Sequence, residues 1–201
     1  SKPNGPEAVA LDFTFDQSDI LFGIPEHHDS FALKNTLYGE PYRLWTTDMT
    51  FYELDSRRPN YGAVPVIYGH GSSGRTVGVF WHNSADTYVD IYDGKTSHFM
   101  SEGGILDVFV FLGPSPNEVF AQYTKITGVA SLPQLFTFAN HQSRWSYMNQ
   151  SQVLEIVDNF DKHDIPLDTM WLDIDYTDGM RYFTWNYTAF PSPLTMMNTL
   201  K

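Results

Sequence analysis

The sequence predicts a β-sandwich followed by the opening strands and helices of an α/β domain, and three observations carry that expectation. Short strand-like segments, each closed by turn residues, run to about residue 112. Near Ser115 the hydrophobic period changes from that of strands to that of an amphipathic helix. From Pro133 onward, strand-like and helix-like segments alternate.

The segments follow in order. VALDFTFD at 9–16, VPVIYGHG at 64–71, TVGVFWHN at 76–83, DTYVDIYD at 86–93 and ILDVFVFLG at 105–113 are rich in β-branched and aromatic residues and are bounded by Gly, Pro, Asn, Asp or Ser. Residues 24–48 and 56–62 show little periodicity and read as loops. GHGSSG at 69–74 lacks the Lys-Ser/Thr and following helix of a phosphate loop and reads as a hairpin turn. Ser115, Pro116 and Glu118 form a capping box with proline at the first helical position. Val119, Phe120, Tyr123 and Ile126 share one face, and Gly128 ends that helix. After the linker VASLP, LFTFANHQSRWSY reads as a strand with its exit loop. A helix then starts near Ser151, capped by Asn149 or Ser151, with Val153, Ile156, Val157 and Phe160 as its apolar face. TMWLDID reads as a buried strand, and a last helix opens in PSPLTMMNTLK. Alternation of this length implies parallel pairing, in a barrel or a doubly wound sheet. Two such strands do not close a barrel. The chain is therefore expected to be a piece of a larger protein, with residues 1–128 a β-sandwich domain and 129–201 the truncated start of an α/β domain.

Composition narrows the function. Acids outnumber Lys and Arg 24 to 12, for a formal charge of −12, and no basic cluster occurs, so a polyphosphate would be repelled and nucleic acid is not an expected partner. With no apolar run of bilayer length, and no charged-then-apolar leader at its start, the chain is expected to be a soluble globular segment without a membrane span. There is no cysteine to serve as thiolate, metal ligand or disulfide. Aromatic residues make up 16% of the chain. Rings interspersed with acids and amides suit sugars, whose C–H face packs on a ring while carboxylates accept hydroxyl protons; a β-rich core accounts for the rings equally.

Functional residues of a barrel sit where strands end. HQSRWSY at 141–147 and DIDYTD at 173–178 occupy that place for successive strands and are expected to face one pocket. A strand period of two puts Asp173 and Asp175 on the same side. Ligand hydroxyls, Arg or His are then expected to satisfy them, because two unpaired neighbouring carboxylates would drive one pKa upward. The competing structural reading pairs Asp173 with Arg181 or His141 to hold the loops, and buries Trp145 in the core. His27 and His28 lie beside Glu26 and Asp29, but adjacent residues rarely converge on one ion, so no metal site is assigned. Asn149 and Asn186 begin glycosylation-type triplets.

The series GIPEHHD, GEPYRLWTTDMTFYEL, YGAVPVIYGH, VGVFWHNSADTYVDIYD, MSEGGILDVFVFLGPSPNEVFAQYTKITG, HQSRWSY and WLDIDYTDGMRYFTW, in this order, resembles glycoside hydrolase family 31, the retaining α-glucosidases. The resemblance implies a galactose-mutarotase-like β-sandwich followed by the first strands and helices of a (β/α)8 TIM barrel. It also implies hydrolysis of terminal non-reducing α-linked glucose without cofactor or metal. By matched position, Asp173 hydrogen-bonds glucose hydroxyls, Ile174 is the apolar wall beside it, Trp145 lines the sugar pocket, and Asp48 reaches the neighbouring sugar from a loop of the β domain. Asp175 and Asp178 are expected to pair with nearby polar groups and shape the loop.

Within the family the chain resembles the branch that trims glucose from N-linked glycans. That implies an α-glucoside or glucosylated N-glycan as substrate, the remainder of a catalytic subunit and a non-catalytic β subunit as partners, and the endoplasmic-reticulum lumen as location. DIDY at 173–176 is closer to the family's general α-glucosidases, which keeps an α-1,4-glucosidase or α-xylosidase open; the β-rich half also permits a non-catalytic carbohydrate-binding module. The family's nucleophile lies in a Trp-X-Asp-Met-Asn-Glu motif on a later strand, with the acid/base later again. Neither is found in these 201 residues, so no catalytic residue is assigned within them.

Overall fold

A computed structural model describes residues 7–201 of the chain. The chain divides into two compact units, bounded as Ser1–Val129 and Ala130–Lys201.

The first unit is a β-sandwich. Its strands are β1 (Val9–Thr14), β2 (Ile20–Gly23), β3 (Tyr42–Leu44), β4 (Val66–His70), β5 (Thr76–Trp81), β6 (Thr87–Tyr92), β7 (Thr96–Ser101) and β8 (Val108–Phe111). One antiparallel sheet has the order β1-β7-β6-β3 and the other β2-β4-β5-β8. Alternation decides which side chains meet between them. In β6, Thr87, Val89 and Ile91 point inward and Tyr88, Asp90 and Tyr92 outward. The inner faces enclose Leu21, Tyr42, Ile67, Val79, Trp81, Val89, Ile91 and Phe99.

Both faces of β4 and β5 are buried, because α1 (Pro116–Thr127) covers the outer face of their sheet. Val66, Tyr68, Phe80 and Phe111 pack there against Val119. The capping box is present as expected: the Ser115 hydroxyl accepts from the Glu118 amide, and the Glu118 carboxylate accepts from the Ser115 amide at 3.0 Å. Gly128, at φ 81°, closes the helix. Of the expected apolar face, Val119 is fully buried while Phe120 and Ile126 remain about half exposed.

Three strands fall outside the segments expected from sequence. β2 lies between two of them. β3 is a three-residue strand inside the stretch that reads as loop, and it exists because β6 offers it an edge. β7 lacks β-branched density, but Asp93 and Gly94, both at positive φ, turn the chain back on β6. GHGSSG does close the β4–β5 hairpin.

The second unit contains β9 (His141–Gln142), α2 (Gln150–Lys162), β10 (Thr169–Met170) and α3 (Pro193–Thr199). β9 and β10 pair in parallel, His141 opposite Thr169 and Gln142 opposite Met170. Asn149 caps α2 by accepting from the Gln152 amide at 2.9 Å. Tyr147, Val153, Phe190 and Met196 form the core of the unit.

Two expectations need correction here. LFTF is a 3-10 turn, Leu135–Phe138, and not strand; the Thr137 and Ala139 amides donate to Gln134 and Phe136, so local bonds replace a ladder. TMWLDID is strand only at Thr169–Met170. Ile174–Tyr176 is a second 3-10 turn, so Asp173 and Asp175 do not share a strand face. Asp173 sits at the N-cap of that turn and Asp175 lies inside it, which separates their tasks.

Candidate active site

The paired ends of β9 and β10 position the candidate residues of the second unit. His141 locks this base. Its Nδ1 accepts from the Trp171 indole N–H at 2.8 Å, and its Nε2 donates to the Phe136 carbonyl at 2.8 Å, so both ring nitrogens are committed and the neutral tautomer is set. His141 is thereby unavailable to Asp173. Arg181 is also engaged, forming an ion pair with Asp178 and donating from Nε to the Asp178 carbonyl at 3.0 Å. The reading in which either residue pairs with Asp173 does not hold.

Asp173 is exposed, and its Oδ1 accepts from the Ile174 amide at 2.8 Å, the bond that caps the turn. One carboxylate oxygen is used to orient the group, which is exposed at the N-cap of the turn, three residues past β10. Ile174 beside it is half-buried. Asp175 takes a different partner: its Oδ2 accepts from the Ser146 amide at 2.8 Å, across to the loop after β9. The expectation that Asp175 and Asp178 pair with nearby polar groups and shape the loop is met, although the sequence carries no signal that names Ser146.

Trp145 is 72% exposed and is not a core residue. The residues around it are held. Tyr147 is buried, its hydroxyl accepts from Gln142 Nε2 at 2.7 Å, and the Arg144 guanidinium lies 4.5 Å from its ring centroid. The aromatic field after Asp178 divides in the same way: Trp185 packs on Tyr176 and Phe190, whereas Tyr182 and Phe183 are exposed.

Asp48 belongs to the first unit, on the loop between β3 and β4, and is exposed. Its carboxylate pushes the Tyr61 phenol up, through a side-chain hydrogen bond first and its charge second. The stem of the loop is pinned by Arg43, which donates to both oxygens of Asp86 at 3.0 and 2.5 Å and stacks on Trp45 and Tyr88. The Thr47 amide adds a bond to the Asn60 carbonyl at 2.7 Å. His27 and His28 serve separate partners, the Arg43 carbonyl and Asn60. No cluster of metal-ligating side chains occurs among the described residues.

The chain matches the glycosyl hydrolase 31 N-terminal galactose mutarotase-like domain over residues 1–90 and the glycosyl hydrolases family 31 TIM-barrel domain over residues 130–201. It is 46% identical to neutral alpha-glucosidase AB of Mus musculus, covering all of this chain and 23% of that protein, and 44% identical to the protein of that name from Dictyostelium discoideum, covering 22% of it. The crystal structure of a glucosidase II alpha subunit superimposes with a TM-score of 0.89 at 39% identity over the whole chain and 24% of that structure. A crystal structure of an ER glucosidase II complex, catalytic subunit with the binding domain of the regulatory subunit, superimposes with a TM-score of 0.87 at 38% identity, over 97% of this chain and 23% of that one. The chain thus spans less than a quarter of the length of each of these relatives.

Proposed function

Because the chain belongs to glycoside hydrolase family 31, in which a mutarotase-like β-sandwich precedes a TIM barrel, we propose that it forms part of a retaining α-glucosidase that removes terminal non-reducing α-linked glucose from N-linked glycans. The observation that carries this reading is Asp173: an exposed carboxylate just past β10, oriented by its own turn and claimed by neither Arg181 nor His141. A group so placed can accept two sugar hydroxyls. As the ring flattens toward an oxocarbenium ion those bonds strengthen, so Asp173 contributes to the chemical step as well as to binding. Trp145 offers its ring to the apolar face of the same glucose, Ile174 walls the pocket, and Asp48 serves the neighbouring sugar. Retaining hydrolysis requires two carboxyls about 5 to 5.5 Å apart on either side of the scissile bond. Asp173 and Asp175, on one short turn, do not flank a bond in that way, so the nucleophile and the acid/base lie outside residues 1–201.

The sandwich domain is taken as residues 1–128 and the barrel portion as 129–201. Likeness to a glucosidase II catalytic subunit that is seen with a regulatory subunit supports a β-subunit partner and the endoplasmic-reticulum lumen. DIDY at 173–176 favours, as a second reading, an α-1,4-glucosidase of the same family.

The test uses the full-length enzyme with an aryl α-glucoside, maltose and a glucosylated glycan. Asp173→Asn is expected to lower kcat/KM by at least about tenfold on all three, about 1.4 kcal/mol of transition-state stabilisation. Trp145→Ala should raise KM, at a cost of about 1 to 3 kcal/mol. Asp48→Ala should impair the disaccharide more than the aryl glucoside. A kcat/KM within about threefold of the parent for Asp173→Asn overturns the sugar-ligand role.

A further inference from the structure

Trp145 presents its indole to solvent, and among the described residues it belongs to no core cluster, so its orientation depends on the backbone that carries it. That backbone is unusual. Ser146 has φ 87°, a region that L side chains rarely adopt. Such a conformation persists only where the surroundings over-determine it. To either side of Trp145 and Ser146, the Arg144 guanidinium lies over the Tyr147 ring, and the Tyr147 hydroxyl accepts from Gln142. The bond that reaches Ser146 from outside the loop is the one from its amide to Asp175 Oδ2, at 2.8 Å, and a charged acceptor makes it stronger than a neutral one. Asp175 lies in the 3-10 turn that Asp173 caps, so one turn carries both the sugar-facing acid and the acid that grips the neighbouring loop.

We propose that Asp175 is a positioning residue: its carboxylate holds the Ser146 amide, stabilises the left-handed turn at the exit of β9, and so sets the orientation in which Trp145 meets the sugar. This rests on the sugar-pocket role proposed above for Trp145. The role differs from that of Asp173 in chemistry. Asp175 needs only an acceptor oxygen aimed at an amide, so asparagine can replace it, whereas alanine cannot.

The test uses the full-length enzyme and two readouts. In steady-state hydrolysis of an aryl α-glucoside, Asp175→Ala is expected to raise KM about tenfold with kcat within about twofold, and Asp175→Asn to stay within about threefold of the parent in both. Adding Ser146→Gly to Asp175→Ala should recover at least about threefold in KM, because glycine holds positive φ without a Cβ conflict. Trypsin cleavage after Arg144, read by mass spectrometry on the native protein, should accelerate in Asp175→Ala and not in Asp175→Asn. If Asp175→Ala does not fold, Asp175→Ser, too short to reach the amide, makes the same comparison. Loss of kcat at unchanged KM, or equal damage from Asn and Ala, would overturn the proposal by placing the carboxylate on the substrate. Cleavage after Arg144 that is unchanged in Asp175→Ala overturns the clamp without reference to activity. A parent that hydrolyses no α-glucoside overturns the functional reading instead.

Discussion

Ser97 and Ser101 provide a sharp test of how the sandwich is held together. Both lie on β7, point to the same inner face and are 0% exposed. They differ in partners. Ser101 Oγ accepts from the Trp81 indole N–H at 2.8 Å and lies 2.6 Å from Thr87 Oγ1, whose own hydroxyl donates to the Ala85 carbonyl at 2.9 Å. An indole nitrogen can only donate, and the Thr87 proton is committed to Ala85. The relay therefore runs in one direction, from Trp81 through Ser101 and Thr87 to Ala85. Among the described residues, Ser97 Oγ is buried with no hydrogen-bond partner. Ser101→Ala leaves the fully buried Trp81 N–H unsatisfied, which costs about 1 to 3 kcal/mol. Ser97→Ala removes a hydroxyl that was desolvated without return, so it should be neutral or stabilise by up to about 1 kcal/mol. With a urea m-value of about 2 kcal/mol/M, the Ser101→Ala midpoint should fall by about 1 M while the Ser97→Ala midpoint stays in place or rises by up to about 0.5 M. Urea unfolding followed by tryptophan emission measures this. A double-mutant cycle with Trp81→Phe isolates the relay, because the serine substitution should become nearly silent once the indole donor is gone. If Ser97→Ala destabilises as much as Ser101→Ala, or the cycle shows no coupling, the hydrogen-bond argument is wrong and packing volume sets both costs.

Two further predictions concern the same unit. A Cβ at Gly78 would lie 2.9 Å from Val119 Cγ1 and 3.3 Å from carbons of Phe111 and Tyr68. Gly78→Ala should therefore push α1 off the sheet at a cost of about 1 to 3 kcal/mol, and Val119→Ala in the same chain should recover part of it in thermal melts. Asp29 answers to pH: burial raises its carboxyl, but bonds from Lys34, Tyr42 and Ser30 together outweigh this and hold it below the ordinary 3.8. A depressed folded pKa contributes stability that is present above the unfolded value and lost as pH falls through the folded one. Asp29→Asn should thus be destabilised at pH 7, and its deficit relative to the parent should shrink as pH is lowered below about 4. A deficit that is constant from pH 7 to pH 2 would contradict the charge-based account.

Local physics made much of this fold readable from the chain. A capping box, a proline in the first turn and a closing glycine define α1 within a few residues, and alternation in DTYVDIYD marks β6, because those effects act over distances shorter than a helix turn or a strand pair. The motifs HQSRW and WLDID likewise pointed to Trp145 and Asp173 through residue identity. What sequence could not settle depends on partners distant along the chain. β3 and β7 have weak strand character and become strands because β6 supplies an edge on each side. TMWLDID has the pattern of a buried strand, yet β9 pairs with only its first two residues, and the backbone further on closes into a 3-10 turn that assigns Asp173 to the exterior and Asp175 to Ser146. Two acids two positions apart are equivalent in one dimension; a bond to an amide 29 positions away makes them different.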